Sequence, residues 1–79
     1  MKHNRKFVVC ISNEDYPASL ELRKIYEQLP DAEAARDGLI RVIDESGEDY
    51  LYPASYFLAI KLPPAVEEAV EAAMELQSA

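Results

Sequence analysis

Apolar residues in this chain gather in short runs separated by turn chemistry, and only the last stretch carries a helical period. Phe7–Ile11 is apolar, rich in β-branched residues and bounded by polar ones, which reads as a first strand. Asn13-Glu14-Asp15-Tyr16-Pro17 is loop chemistry. Leu20, Leu22, Ile25, Tyr26 and Leu29 satisfy two periods at once: their i, i+4 spacings fit a helix. The alternation of Leu20 and Leu22 with Glu21 and Arg23, and the Ile25-Tyr26 pair, fit a strand. Two short extended pieces are expected over 20–29, with the helix left open. Residues 30–38 read as a turn or two of helix, capped by Asp31 and ended by Gly38 in a left-handed conformation. The run LIRVID, residues 39–44, is the strongest strand, and DYLYP, residues 49–53, is its antiparallel partner across Glu45-Ser46-Gly47-Glu48, with Gly47 left-handed. Residues 56–60 form a last strand, which the chain leaves at Lys61-Leu62-Pro63.

From Pro64 the pattern changes to an amphipathic helix, with Glu67 and Glu68 near the positive end of its dipole. Glu67, Glu68, Glu71 and Glu75 fall on one side, and Ala65, Val66, Ala69, Val70, Ala72, Ala73, Met74 and Leu76 fill the rest. Glu67, Glu71 and Glu75 repel one another at i, i+4 with no lysine between them. At about 13 residues such a helix does not persist without packing. It is expected to lie on its own sheet, or to use Val66, Val70, Ala73 and Met74 for a homodimer or a partner protein.

With 79 residues the chain is a single small domain, and it buries only about 60% of its unfolded surface. The expected division is a β-rich body over residues 1–62 and a helical element over 63–79, with Pro63-Pro64 as the joint. Cys10 is the lone cysteine, so no disulfide inside the chain supplements the core, and a thiol in an apolar run suits a reducing compartment. The basic start followed by Phe7–Ile11 mimics a signal peptide, but the apolar run falls short of the ~7–15 residues required. No membrane association and a soluble, cytoplasmic protein are expected. The net charge is −7, from 15 acids and 8 bases; all the bases lie within residues 1–61, and residues 62–79 add glutamates only. Without a basic stripe to neutralise phosphates, nucleic acid is not an expected partner.

The end of the β-rich part, Tyr52-Pro53-Ala54-Ser55-Tyr56-Phe57, resembles the close of SH3-like barrels, where a proline, a single 3₁₀ turn and a tyrosine precede the last strand. The loop Asn13–Tyr16, the Leu20-x-Leu22 pair and Ile25-Tyr26 fit the same scheme, so the resemblance covers residues 7–61. It implies a mainly β (α+β) protein: a small SH3-like β-barrel with a C-terminal amphipathic α-helix. It also implies a groove in which Pro53 and Tyr56 match the wall residues, Leu51 takes a position that is often aromatic, and Tyr16 stands in the facing loop. The chain has no tryptophan and no Ala-Leu-Tyr-Asp-Tyr-like run in its first strand, so the resemblance implies the barrel rather than a proline-rich ligand. Residues 38–53 are similar to a set of small bacterial proteins to which no activity is assigned, which implies a bacterial origin. On this reading Asp44, Glu45, Glu48 and Asp49 keep a hairpin tip solvated and its edge unattractive to other strands. Tyr52 and Phe57 belong inside, and Tyr56 partly outside.

Little in the chain speaks for catalysis, metal or cofactor. If Gly47 were the sixth position of a calcium loop, its first ligand would be Val42 and its twelfth Pro53. Zinc needs Cys/His clusters, and the chain has His3 and Cys10 alone. Gly38 and Gly47 are the only glycines, too few for a phosphate loop. The expected function is therefore a non-catalytic interaction module or accessory subunit, using Tyr56, Pro53, Leu51 and Tyr16 or the helix. The alternative is an acidic regulator, inhibitor- or antitoxin-like, that captures a basic protein through Asp44, Glu45, Glu48 and Asp49.

Overall fold

The structure, a computed structural model, describes residues 5–77, with side chains up to Glu75. The elements run β1 (Lys6–Cys10), β2 (Ile25–Leu29), α1 (Ala32–Arg36), β3 (Leu39–Ile43), β4 (Asp49–Pro53), a 3₁₀ turn (Ala54–Tyr56), β5 (Phe57–Ile60) and α2 (Pro64–Gln77). The protein is a small α+β domain with one five-stranded antiparallel sheet in the order β4-β3-β2-β1-β5 and a helix at the C-terminal end. The expected closed barrel is not formed: β4 and β5 are the two edges, and no ladder joins them. Pro53 has no N–H to extend β4, and the 3₁₀ turn after it swings the chain away, so β5 pairs with β1 instead.

Residues alternate between the two faces. Val8, Cys10, Tyr26, Val42, Tyr52 and Phe57 form the inner face, and Leu20, from the long loop between β1 and β2, is buried among them. That loop is neither of the structures expected for residues 20–24. Asn13 ties it to Leu20 through its side-chain amide and the Leu20 carbonyl (2.9 Å), while Ser19 and Leu20 N–H groups donate to the Tyr16 carbonyl. Arg23 takes a left-handed φ of 64°, which ends the loop and lets its N–H donate to the Cys10 carbonyl at 2.7 Å. Only then does β2 begin, so the extended reading holds for Ile25–Leu29 alone.

The connection from β2 to β3 follows the sequence closely. Asp31 accepts from the Ala34 N–H (3.0 Å) to cap α1, Gly38 at φ 74° ends it, and Arg41 bridges Asp31 and Asp49, both at 2.9 Å. On the outer face Phe7 is buried, whereas its neighbours in the row Ile25, Val9 and Leu58 are half-buried or exposed. Helix α2 lies against this side, with Arg5 bridging Glu27 (3.2 Å) and Glu71 (3.0 Å).

The half-buried stripe of α2 is Glu67, Val70, Glu71 and Met74. The apolar face expected of Val66, Val70, Ala73 and Met74 is thereby split: Val70 and Met74 turn toward the body, while Val66 and Ala73 are exposed. On that stripe the Arg5 guanidinium meets Glu71. No helix among the described residues is long and apolar enough to cross a membrane.

Candidate functional site

An open cleft of about 320 Å³ lies where the β1–β2 loop meets the β3–β4 hairpin, lined by Tyr16, Ser19, Asp44, Ser46, Tyr50, Leu51 and Tyr52. Its aromatic wall is organised around Tyr16. That ring meets Tyr52 edge-on (5.0 Å between centroids, 84°) and Tyr56 at 6.2 Å and 62°. Tyr16, Tyr50 and Leu51 are all exposed, a concentration of large apolar side chains at one edge of a small domain. Turn geometry places them there. Tyr16 stands at the bend closed by the Ser19 and Leu20 N–H groups, and Tyr50 and Leu51 follow the tight hairpin whose Gly47 has φ 84°.

One carboxylate, Asp44, lines the cleft, and its neighbour Glu45 lines the recess on the other side of the hairpin tip. Asp44, only 6% exposed, receives the Ser46 N–H (2.9 Å), the Ser46 hydroxyl (2.6 Å) and the Tyr52 hydroxyl. Burial alone would raise its pKa, but the Ser46 and Tyr52 hydrogen bonds outweigh burial and leave it below the ordinary aspartate value. Glu45 receives the Tyr26 hydroxyl and the Lys24 ammonium (2.8 Å), which likewise overcome burial and lower its pKa. The phenols shift the other way. Burial, reinforced by Asp44, pushes Tyr52 up to about 12, and burial with Glu45 raises Tyr26 further. The Glu45 N–H donates to the Ser19 carbonyl (3.0 Å), so the hairpin tip is stitched to the loop it faces.

The placement of Asp44 corrects the expectation that all four acids are solvated, while Glu45 stays exposed. Asp44 is a buried acceptor, and Glu45 is committed to Lys24 and Tyr26. Glu48 and Asp49 do face outward, but Glu48 accepts the Tyr50 hydroxyl (3.2 Å) and Asp49 accepts from Arg41. A sequence signal for Asp44 was present: Asp-x-Ser-Gly is a side-chain turn pattern, in which the aspartate accepts the N–H two residues on.

Of the four expected groove residues, Tyr16 and Leu51 line the cleft, and half-buried Tyr56 adjoins it through the Tyr16 ring while donating to Asp15 (3.2 Å). Pro53 is paired with Leu39 and is not among the cleft residues. Tyr50 and Ser19 belong to the cleft and were not anticipated. A larger recess of about 540 Å³ runs between α2 and the hairpin tip, bordered by Ile25, Ile43, Met74 and the ion pairs of Arg5 and Lys24. Cys10 is buried, which raises its thiol pKa, and His3 lies outside the described residues. Among the described residues no His, Cys, Asp or Glu group is arranged to hold a metal.

Fold and cleft together define a small α+β domain whose open antiparallel sheet carries an aromatic edge cleft. No family model matches the chain, and no curated protein or solved structure matches it either.

Proposed function

We propose that the protein is a non-catalytic interaction module that binds an extended, apolar segment of a partner protein in the cleft around Tyr16. The observation that carries this reading is the convergence of exposed Tyr16, Tyr50 and Leu51 on one cleft in which Ser46 and Tyr52 are hydrogen-bonded to buried Asp44. Rigid aromatic side chains supply contact area at low entropic cost, and such residues concentrate the energy of protein interfaces. The one strongly buried carboxylate, Asp44, has both oxygens engaged by Ser46 and Tyr52, which favours a structural role over acid–base work. The order β4-β3-β2-β1-β5, the long β1–β2 loop and the single 3₁₀ turn before β5 support kinship with SH3-like folds, here in an open form. A bacterial, cytoplasmic setting completes the proposal.

The charge-led alternative, capture of a basic protein, would act through Glu14, Asp15, Glu48 and Asp49 at the rim rather than through Asp44 and Glu45. Salt separates the two. Tyr16→Ala should weaken partner binding by about tenfold or more at constant fold, with little dependence on ionic strength. This is checked by calorimetric titration of wild type and variant with the captured partner at low and high salt. Binding that survives Tyr16→Ala but disappears in high salt would overturn the cleft and favour charge capture.

A further inference from the structure

The two edges of the sheet are unequal. Outside α1 and β3, the β4 edge is guarded: backbone pairing of Asp44 with Glu48 and of Ala54 with Gly38 turns Asp49, Leu51 and Pro53 outward. That edge therefore carries a carboxylate at one end and a residue without an N–H at the other, two ordinary defences against strand pairing. The β5 edge has neither. The Cys10 N–H and carbonyl bond to Lys24 and Arg23, so Phe7 and Val9 turn their backbone groups toward β5, and the Ile11 N–H continues that ladder to the Tyr56 carbonyl. In register, Phe7 faces Ile60 and Val9 faces Leu58, which leaves Phe57, Ala59 and Lys61 pointing away from the sheet. The Phe57 N–H is used by the Ala54 carbonyl. Ala59 is exposed, and no backbone bond from a loop or helix among the described residues reaches it.

We propose that β5 is a homodimer seam: two copies of this chain pair antiparallel through β5 about a two-fold axis at Ala59, joining their sheets into one. The occupant is a second copy because the free groups are self-complementary. With Ala59 opposite Ala59 of the second copy, each Ala59 donates to and accepts from its counterpart. Each Lys61 N–H then meets the other copy's free Phe57 carbonyl. That register satisfies the Ala59 N–H and carbonyl, the Lys61 N–H and the Phe57 carbonyl of both copies.

The side chains agree. Leu58, 55% exposed and the most exposed large apolar residue described, falls opposite Ile60 of the second copy, so both copies contribute to one apolar cluster on the outer face. On the other face Ala59 meets Ala59, which gives no steric conflict. Charge agrees as well: in a chain of net charge −7 no acid lies in the segment between Asp49 and Glu67 that contains β5, so no carboxylate lies on the pairing strand itself. The seam is separate from the Tyr16 cleft and does not depend on that proposal.

The test is sedimentation velocity on the intact chain over a concentration series reaching about 1 mM, beside Leu58→Lys and Ala59→Pro. Both substitutions leave the β1–β5 ladder intact, since Leu58 is exposed and the Ala59 N–H points outward. The expected result is a concentration-dependent dimer for the intact chain, weakened about tenfold or more in each variant. Hydrogen exchange on the unaltered protein supplies a second readout. Ala59 and Lys61 amides should be protected at high concentration and exchange quickly on dilution, while Leu58 and Ile60 stay protected throughout. A monomer across the series, a dimer that persists in Leu58→Lys, or an Ala59 amide that exchanges equally fast at both concentrations would overturn the seam. Should Ala59→Pro fail to fold, the other two results decide.

Discussion

Replacing Leu20 by alanine is expected to destabilise the protein by about 2–5 kcal/mol, the range for truncating a buried leucine. Leu20 is 1% exposed and is one of the largest fully buried side chains, yet it belongs to a loop rather than to a strand. A chain of 79 residues has about 4–12 kcal/mol of stability in total, so the loss would leave it near the edge of unfolding at room temperature. The mechanism is specific. Leu20 belongs to the buried cluster that includes Val8, Cys10 and Tyr52, and the Tyr52 of that cluster also lines the cleft. Truncating the Leu20 side chain should therefore loosen the cleft as well as the core. Leu22, two residues on and 43% exposed, should change stability by less than about 0.5 kcal/mol when truncated. Urea unfolding of the two variants side by side checks the contrast, and equal effects would mean that the loop does not pack as described.

Asp44→Ala is expected to cost about 2–3 kcal/mol, more than most surface aspartates, because it leaves the buried Tyr52 hydroxyl and the Ser46 groups without their acceptor. Asp44→Asn keeps an acceptor oxygen and should lose less. The same carboxylate sets the acid limit of the fold. Asp44 and Glu45 both have pKa values lowered by folding, so their contribution is complete above the unfolded carboxyl range, about 4, and is lost as pH falls through the lower folded values. Tyr52 is raised, so its contribution is complete below the unfolded phenol value of about 10 and is lost as pH rises through about 12. Stability should be level from about pH 4 to 8, decline below about pH 4, and decline less steeply in Asp44→Asn. Urea midpoints from pH 3 to 7 measure this. An unchanged acid slope in Asp44→Asn would show that other carboxylates set the limit.

The hairpin, α1 with its Asp31 cap, β1 and the start of α2 were legible because each has a local cause: turn glycines, a capping side chain, a β-branched run, a proline at a helix start. Tyr52 and Phe57 were expected inside, and both are buried. The β1–β2 loop was legible over Asn13–Pro17 but not over residues 18–24. Leu20 and Leu22 alternate as a strand would, but the Asn13 amide and the left-handed Arg23 fold them into turns, and both are tertiary choices. Asp44 was misplaced because charge predicts exposure, whereas here Ser46 and Tyr52 compensate its desolvation locally. Closure of the barrel was expected by analogy, and nothing in the residues of β4 and β5 requires the two edges to meet. In the cleft, Tyr16 and Leu51 were anticipated, while Tyr50 joined them only through the hairpin's geometry.

The central claim is that partner binding concentrates on the cleft around Tyr16. Backbone and side-chain chemical-shift mapping of the labelled protein against its captured partner segment tests it most directly. Shifts centred on Tyr16, Ser19, Tyr50, Leu51 and Tyr56, with α2 and β5 unmoved, are the predicted result. Shifts centred on α2, or spread over exposed acids such as Glu14 and Glu68, would contradict it.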